Sequence, residues 1–319
     1  MHDFVDPFVE ALVERYPQVK ERRGELRTLV ESIVELAAVR ASADDLGIAV
    51  GALTELVEAS AVFSPWHSHP KLTVFGSARV TPGAEHYRMA EALSAAMAQR
   101  GWITVSGAGP GIMEAAAKGA GREHTIGVNV DLPFEQSAND YIDAETRLVE
   151  MKYFFTRKVA LTKESLAFVF FPGGLGTLDE AYELLTLLHT GKTKPSPVIL
   201  IDTEDGTYWE NWLAFMVGSV MQARYLDPES VCLFEICHSI EGAMESIERY
   251  YSNFVGFSLT EGTARVSLRR APSDAQLADL DTHVARFAPY QRDGDAVTFA
   301  FDGRHYVGLR LVIDALNRL

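Results

Sequence analysis

Residues 166–180, LAFVFFPGGLGTLDE, decide how this chain is read. The opening six residues are apolar without alternation, which suits a strand buried on both faces of a parallel sheet. Pro172 ends it, and Gly173, Gly174 and Gly176 let the backbone approach a ligand closely. From Thr177 to about residue 189 the pattern is helical, so the segment reads strand, glycine-rich loop, helix. The first amides of a helix lack partners inside it, and together with the helix dipole they form an anion site. The loop therefore reads as a cradle for a phosphate. Glu180 falls in the first turn of a helix so placed, where a carboxylate reaches ribose hydroxyls or positive charge developing at an anomeric carbon. Asp179 points about 100° away. On position alone, the two carboxylates serve equally well as complements to the helix dipole.

The same texture extends in both directions. Strands are expected at 72–77, 102–107, 124–130, 166–171 and 197–202, with helices at 83–100, 112–119, 151–163 and 177–189. Further helices are expected at 207–222 and 239–251. Alternation of this kind predicts an α/β fold with a Rossmann-like, doubly wound parallel sheet over residues 70–252. Residues 1–65 read as an N-terminal helical segment with Leu26, Leu29, Val30, Ile33, Leu36 and Ala37 along one buried face. Residues 253–319 read as a small α+β appendage: a strand at 264–270, a helix at 274–287, and two strands meeting at Asp302-Gly303, a hairpin signal.

Two more turns end strands. Ser106-Gly107-Ala108-Gly109-Pro110-Gly111 opens a helix whose first turn carries Glu114, and Gly76-Ser77-Ala78-Arg79 follows the first strand. Ligands of open α/β sheets gather at the carboxyl ends of the strands, so three such turns are expected to line one cleft. The plainer reading of the 106–111 turn is tight strand-to-helix packing. Tyr153-Phe154-Phe155-Thr156-Arg157-Lys158 places two adjacent cations on a largely apolar helix. Arg157 offers forked contacts to an anion, and the phenylalanines offer a stacking surface for a base. An Arg-Lys pair is more commonly a solvated helix face. His67 and His69 lack nearby metal-ligand partners and read as loop, Met89 and Met97 read as core, and no G-x-S-x-G elbow supports acyl transfer.

The 319 residues carry a formal charge of −15, with 47% hydrophobic and 23% charged residues. An acidic surface repels polyanions, so no nucleic-acid partner is expected, while one small anion needs only a local site. No unbroken run of about 18 apolar residues is visible, and the N-terminal stretch is acidic where a signal peptide is basic, so no membrane partner and a cytoplasmic location are expected. Cys232 and Cys237, five apart in a strand-like stretch, suggest neither a disulfide framework nor a metal cluster.

SGAGPGIMEAAAKGA (106–120), FFTRK (154–158) and PGGLGTLDE (172–180) together resemble the LOG (LONELY GUY) family, long labelled lysine decarboxylases. The resemblance covers roughly residues 70–250. It implies a Rossmann-like protein, a homodimer or higher homo-oligomer, that hydrolyses the N-glycosidic bond of nucleoside 5′-monophosphates to free base and ribose 5-phosphate, with no metal or organic cofactor. By motif position it implies Arg157 and Glu180 as the catalytic pair, with Glu114 added as in longer members. Gly173, Gly174, Gly176 and Thr177 would hold the phosphate. From the other two turns and the Arg-Lys pair themselves, Gly76, Ser77, Gly107, Gly109, Gly111 and Lys158 are expected to complete substrate binding. Leu175 stands where plant-type members carry an aromatic, and GAGPG resembles the longer bacterial subgroup. AMP-like nucleotides are the expected substrates, with cytokinin riboside monophosphates as a variant. The rivals are a nucleotide-binding sensor without turnover and, following the old label, a pyridoxal-phosphate decarboxylase.

Overall fold

A computed structural model of the chain describes residues 4–131 and 138–318. The described residues form two compact units that part inside a helix, between Val57 and Glu58.

The first unit holds α1 (Val5–Arg15), α2 (Arg23–Ala38) and the start of α3 (Ala43–Phe63). Val5 and Val9 of α1 are buried, and Arg27 pairs with Asp6 at 3.0 Å. The expected buried face of α2 is only partly covered: Leu26, Val30 and Leu36 are half-buried, while Leu29, Ile33 and Ala37 are exposed. Within this unit α2 packs against α1 and the short 3-10 turn Pro17–Arg22, which leave its other face open. The helical run Ala43–Trp66 has a mean hydropathy of 1.6 over 18 residues and is long and apolar enough to cross a membrane by length and composition. The run is not an unbroken apolar one, because Glu55 and Glu58 interrupt it.

The second unit is built on seven strands in the order β4-β3-β2-β1-β5-β6-β7, every neighbouring pair parallel. They are β1 (Lys71–Phe75), β2 (Ile103–Ser106), β3 (Thr125–Val130), β4 (Leu148–Met151), β5 (Ala167–Phe170), β6 (Val198–Ile201) and β7 (Glu235–Cys237). The intervening helices are α4 (Glu85–Gln99), α5 (Ile112–Ala120), α6 (Phe154–Lys163), α7 (Leu175–His189), α8 (Tyr208–Phe215) and α9 (Ile240–Tyr250). Alternate residues of the central strands feed opposite layers. Leu72, Val74, Val169 and Phe171 pack on α4, α5 and α9; Ile103, Val105, Phe168 and Phe170 pack on α6 and α7. Burial on both faces explains the unpatterned apolar strands. Chain order reverses at β1, whose neighbours are β2 and β5, and a crevice opens outside the carboxyl ends of strands at such a switch point.

Several expectations need correction. Strand β4 occupies residues expected to be loop and helix, so α6 begins at Phe154 rather than 151. Helix α7 begins at Leu175, which puts Glu180 in its second turn. Cys232 lies in a 3-10 turn, Pro228–Leu233, and not in a strand with Cys237.

Beyond α9, β8 (Phe254–Thr260), β9 (Thr263–Leu268), α10 (Asp274–His283), β10 (Gln291–Asp293), β11 (Ala296–Ala300) and α11 (Tyr306–Asn317) form an antiparallel sheet, order β10-β11-β9-β8, with its own apolar core. No hairpin forms at Asp302-Gly303. The hairpin turns are Glu261-Gly262 and Gly294-Asp295, and Asp302-Gly303 leads into α11, whose Leu309, Val312, Ile313 and Leu316 follow helical spacing into that core.

Candidate functional site

The turn after β1, the turn after β2 and the loop after β5 are laced together by backbone. The Ser77 amide donates to Pro172 O at 3.2 Å, and the Ile112 amide donates to Ser77 O at 3.1 Å. Gly111 has φ +70°, and a Cβ there would lie 2.4 Å from Ser77 O, so only glycine allows this approach. The three turns border one cleft of about 630 Å³ at the carboxyl edge of β1, β2, β3 and β5.

The loop after β5 is shaped by two contacts. A Cβ on Gly173 would lie 2.1 Å from Thr177 Oγ1, so the bare backbone lets Thr177 fold back over the loop. Tyr208, from α8, donates its hydroxyl to Gly173 O at 2.7 Å. Gly174 and Gly176 face open space, and with Thr177 they line the cleft beside the N-terminus of α7. The first amides of α7 have no acceptor upstream within the helix and carry its positive dipole end.

Arg157 lies across the cleft floor. Its Nε donates to Val128 O at 3.0 Å and its Nη2 to Gly107 O at 3.3 Å, so the guanidinium is clamped between the ends of β2 and β3. A Cβ on Gly107 would meet Nη2 at 2.1 Å: the glycine makes room for the arginine. Glu180, only 8% exposed, also lines the cleft. Burial pushes its carboxyl up to about 7, against the pull of Lys158 and Arg157 and helped by Asp179 and Glu183.

Not every expected residue reaches the cleft. Glu114 is in the first turn of α5 but turns toward α4, where its Oε1 accepts from Tyr87 Oη at 2.8 Å; the neighbouring Met113, one helical step around, lines the cleft instead. Lys158 is buried beside α7, its Nζ 2.8 Å from Asp179, 2.7 Å from Glu183 and 3.8 Å from Glu180. It is a counter-ion to the acidic face of α7 and not a cleft wall. Gly109 and Gly111 shape the turn from behind, as Gly173 shapes its own loop, while Gly76, whose Cβ would strike Ile112 at 2.7 Å, stays at the cleft edge with Ser77.

Asn129 and Phe154 also line the cleft. Asn129 leaves no signal in the sequence, because a lone polar residue inside a strand forms no motif. Phe154 is 50% exposed, and its ring is free to offer a stacking face. Among the described residues no group of three or more metal-ligating side chains is assembled.

Fold and site thus define a Rossmann-like α/β protein with a glycine-lined cleft at its switch point. Residues 111–247 match the family model described as "Possible lysine decarboxylase". A cytokinin riboside 5′-monophosphate phosphoribohydrolase of Mycobacterium tuberculosis is 27% identical over 169 residues, 51% of this chain and 86% of that protein. A protein of the same name from Mycobacterium marinum is 34% identical over 119 residues, 36% of this chain and 63% of that one. Both comparisons are consistent with the resemblance to the LOG family. A solved molybdenum cofactor binding protein from Rippkaea orientalis, with 23% identity and a TM-score of 0.42, is covered to 96% by 56% of this chain, but the fold assignment rests on the strand order.

Proposed function

We propose that the cleft hydrolyses the N-glycosidic bond of a nucleoside 5′-monophosphate, releasing the free base and ribose 5-phosphate. The observation that carries the reading is Glu180: a nearly buried carboxyl, poised near neutrality, in the same cleft as Arg157 and the N-terminus of α7. The loop amides and Thr177 hold the phosphate, which fixes where the ribose lies. As the C1′–N bond breaks, its electron pair leaves with the base and positive charge develops on the sugar ring. The Glu180 carboxylate faces that charge, and stabilisation of this kind is commonly the largest catalytic contribution. Water adds to C1′ and gives up a proton, and the base takes one. Arg157 binds the nucleotide and assists departure of the base, while Phe154 stacks on the ring.

Glu114 is given no chemical step here, since its carboxylate is engaged by Tyr87. AMP-like nucleotides are the proposed substrates. The chain is further proposed to pair as a homodimer through the apolar side chains it presents near the cleft mouth, Phe154, Phe155 and Leu175, the last 87% exposed. Exposed apolar clusters of this kind mark interaction surfaces.

The test is chromatographic detection of base from AMP, GMP, CMP, UMP and isopentenyladenosine monophosphate. Release from at least one, reduced about 100-fold or more by Glu180→Gln, supports the proposal. No release from any overturns it; tight nucleotide binding that survives Glu180→Gln without base liberation would identify a sensor instead.

A further inference from the structure

A second cavity, of about 530 Å³, lies on the far side of α6 and α7, where the loop following α7 meets the antiparallel sheet. Its size is that of a small-molecule site. The loop is built firmly. The Lys192 amide donates to Leu187 O at 2.8 Å, closing the C-terminus of α7, and Gly191, with φ +67°, lies so close to the Tyr306 ring that a Cβ would sit 2.0 Å from it. Tyr306 meets Phe257 edge-on, with ring centroids 6.3 Å apart, so one aromatic corner borders the cavity.

The opposite wall is cationic. Lys163, Lys192 and Lys194 line the cavity, and Thr193 adds a hydroxyl. Lys163 has a partner in Glu164 at 3.1 Å, while Lys192 and Lys194 have no carboxylate within 4.0 Å among the described residues. The acidic lining residue is Glu183, already engaged by Lys158 at 2.7 Å. In a chain of formal charge −15, three lysines around one cavity form a local anion site beside an aromatic surface.

We propose that this cavity is a second ligand site, separate from the cleft. It takes a nucleoside phosphate, with the ring on Phe257 and Tyr306 and the phosphates on Lys163, Lys192 and Lys194. Glu183 connects it to the cleft: the residue borders the cavity, and its ion pair with Lys158 continues 3.8 Å on to Glu180. A polyanion bound beside Glu183 alters the field at Lys158, so the two sites are coupled, and the coupling is reciprocal.

The experiment is a calorimetric titration of the full chain with ATP and, separately, with tripolyphosphate. One ATP per chain is expected, with affinity falling at least about tenfold when Lys192→Glu and Lys194→Glu are combined. Phe257→Ser is expected to weaken ATP while leaving tripolyphosphate unchanged, which isolates the aromatic contact from the charges. ATP is also expected to shift the Kd of AMP in the parent chain and not in Glu183→Gln, a readout that does not depend on turnover. Absence of ATP binding, or ATP binding unaffected by charge reversal, overturns the site. An equal loss of ATP and tripolyphosphate in Phe257→Ser overturns its ligand class. An ATP-induced shift that is missing from the parent or persists in Glu183→Gln overturns the coupling.

Discussion

Lys158 Nζ stands 3.8 Å from the Glu180 carboxylate but a full ångström closer to Asp179 and Glu183, at 2.8 and 2.7 Å. One buried cation is thus shared among three carboxylates of the same helix. Its charge is divided, so it restrains Glu180 without overcoming the cost of burial, and the Glu180 carboxyl stays near 7.

The first consequence is a pH profile. Glu180 must be ionised to face a developing positive charge, so kcat/KM for AMP is expected to rise with pH along a limb whose midpoint lies near 7. Replacing Lys158 with Met removes the nearest cation and is expected to move that midpoint upward. Rates measured from pH 5 to 9 decide this; a limb that keeps its position in the Lys158→Met protein would show that another group titrates.

The same carboxyl makes stability depend on pH. Its folded pKa is raised above the ordinary 4.5, so the folded state binds the proton more tightly than the unfolded chain does. The resulting stabilisation is complete below about pH 4.5 and is lost as pH rises through about 7. Glu180→Gln, which cannot ionise, is therefore expected to gain on the parent between pH 5 and pH 8, by on the order of 1–3 kcal/mol. Urea denaturation at the two pH values measures it, and a gap that narrows with rising pH would contradict the assignment.

The glycines separate folding from binding. At Gly107 a Cβ would displace the Arg157 guanidinium, while at Gly174 it would meet nothing within 4 Å. Gly107→Ala is expected to lower kcat/KM about 100-fold or more through the arginine. Gly174→Ala is expected to fold with unchanged stability yet raise KM for AMP, because the methyl occupies space the phosphate needs. Thermal melts and steady-state kinetics on both proteins make the comparison; a destabilised Gly174→Ala with unaltered KM would remove the cradle from the proposal.

Much of this cleft was legible because its main parts are chain-local. A buried strand running into PGGLGT and a helix is legible within a dozen residues, and periodicity places Arg157 and Glu180 on the flanking helices. What stayed hidden depended on neighbours far away in sequence. Glu114 and Met113 are adjacent in the motif, and only the packing of α5 against α4 sends the first to Tyr87 and the second to the cleft. Lys158 reads as a ligand contact until α7 supplies three carboxylates around it. Strand β4 is four residues long and only partly buried, too short to leave a pattern, and Asp302-Gly303 mimicked a hairpin because the helical spacing of α11 begins just after it.

Tyr208 supplies a last prediction. It follows β6 in sequence, carries no motif, and fastens the glycine-rich loop from outside through its 2.7 Å bond to Gly173 O. Tyr208→Phe keeps the ring and deletes that bond, a change worth about 1 kcal/mol. If the bond serves to hold the loop against a phosphate, the loss falls on phosphate-bearing ligands alone. The inhibition constant of ribose 5-phosphate is expected to rise several-fold, by roughly the factor of 5 that 1 kcal/mol represents, while that of free adenine stays where it was. An equal rise for both would mean that Tyr208 tightens the whole cleft and has no particular connection to the loop. With phosphate and base affected separately, the two ends of the substrate are assigned to the two ends of the cleft, the N-terminus of α7 and the Phe154 side.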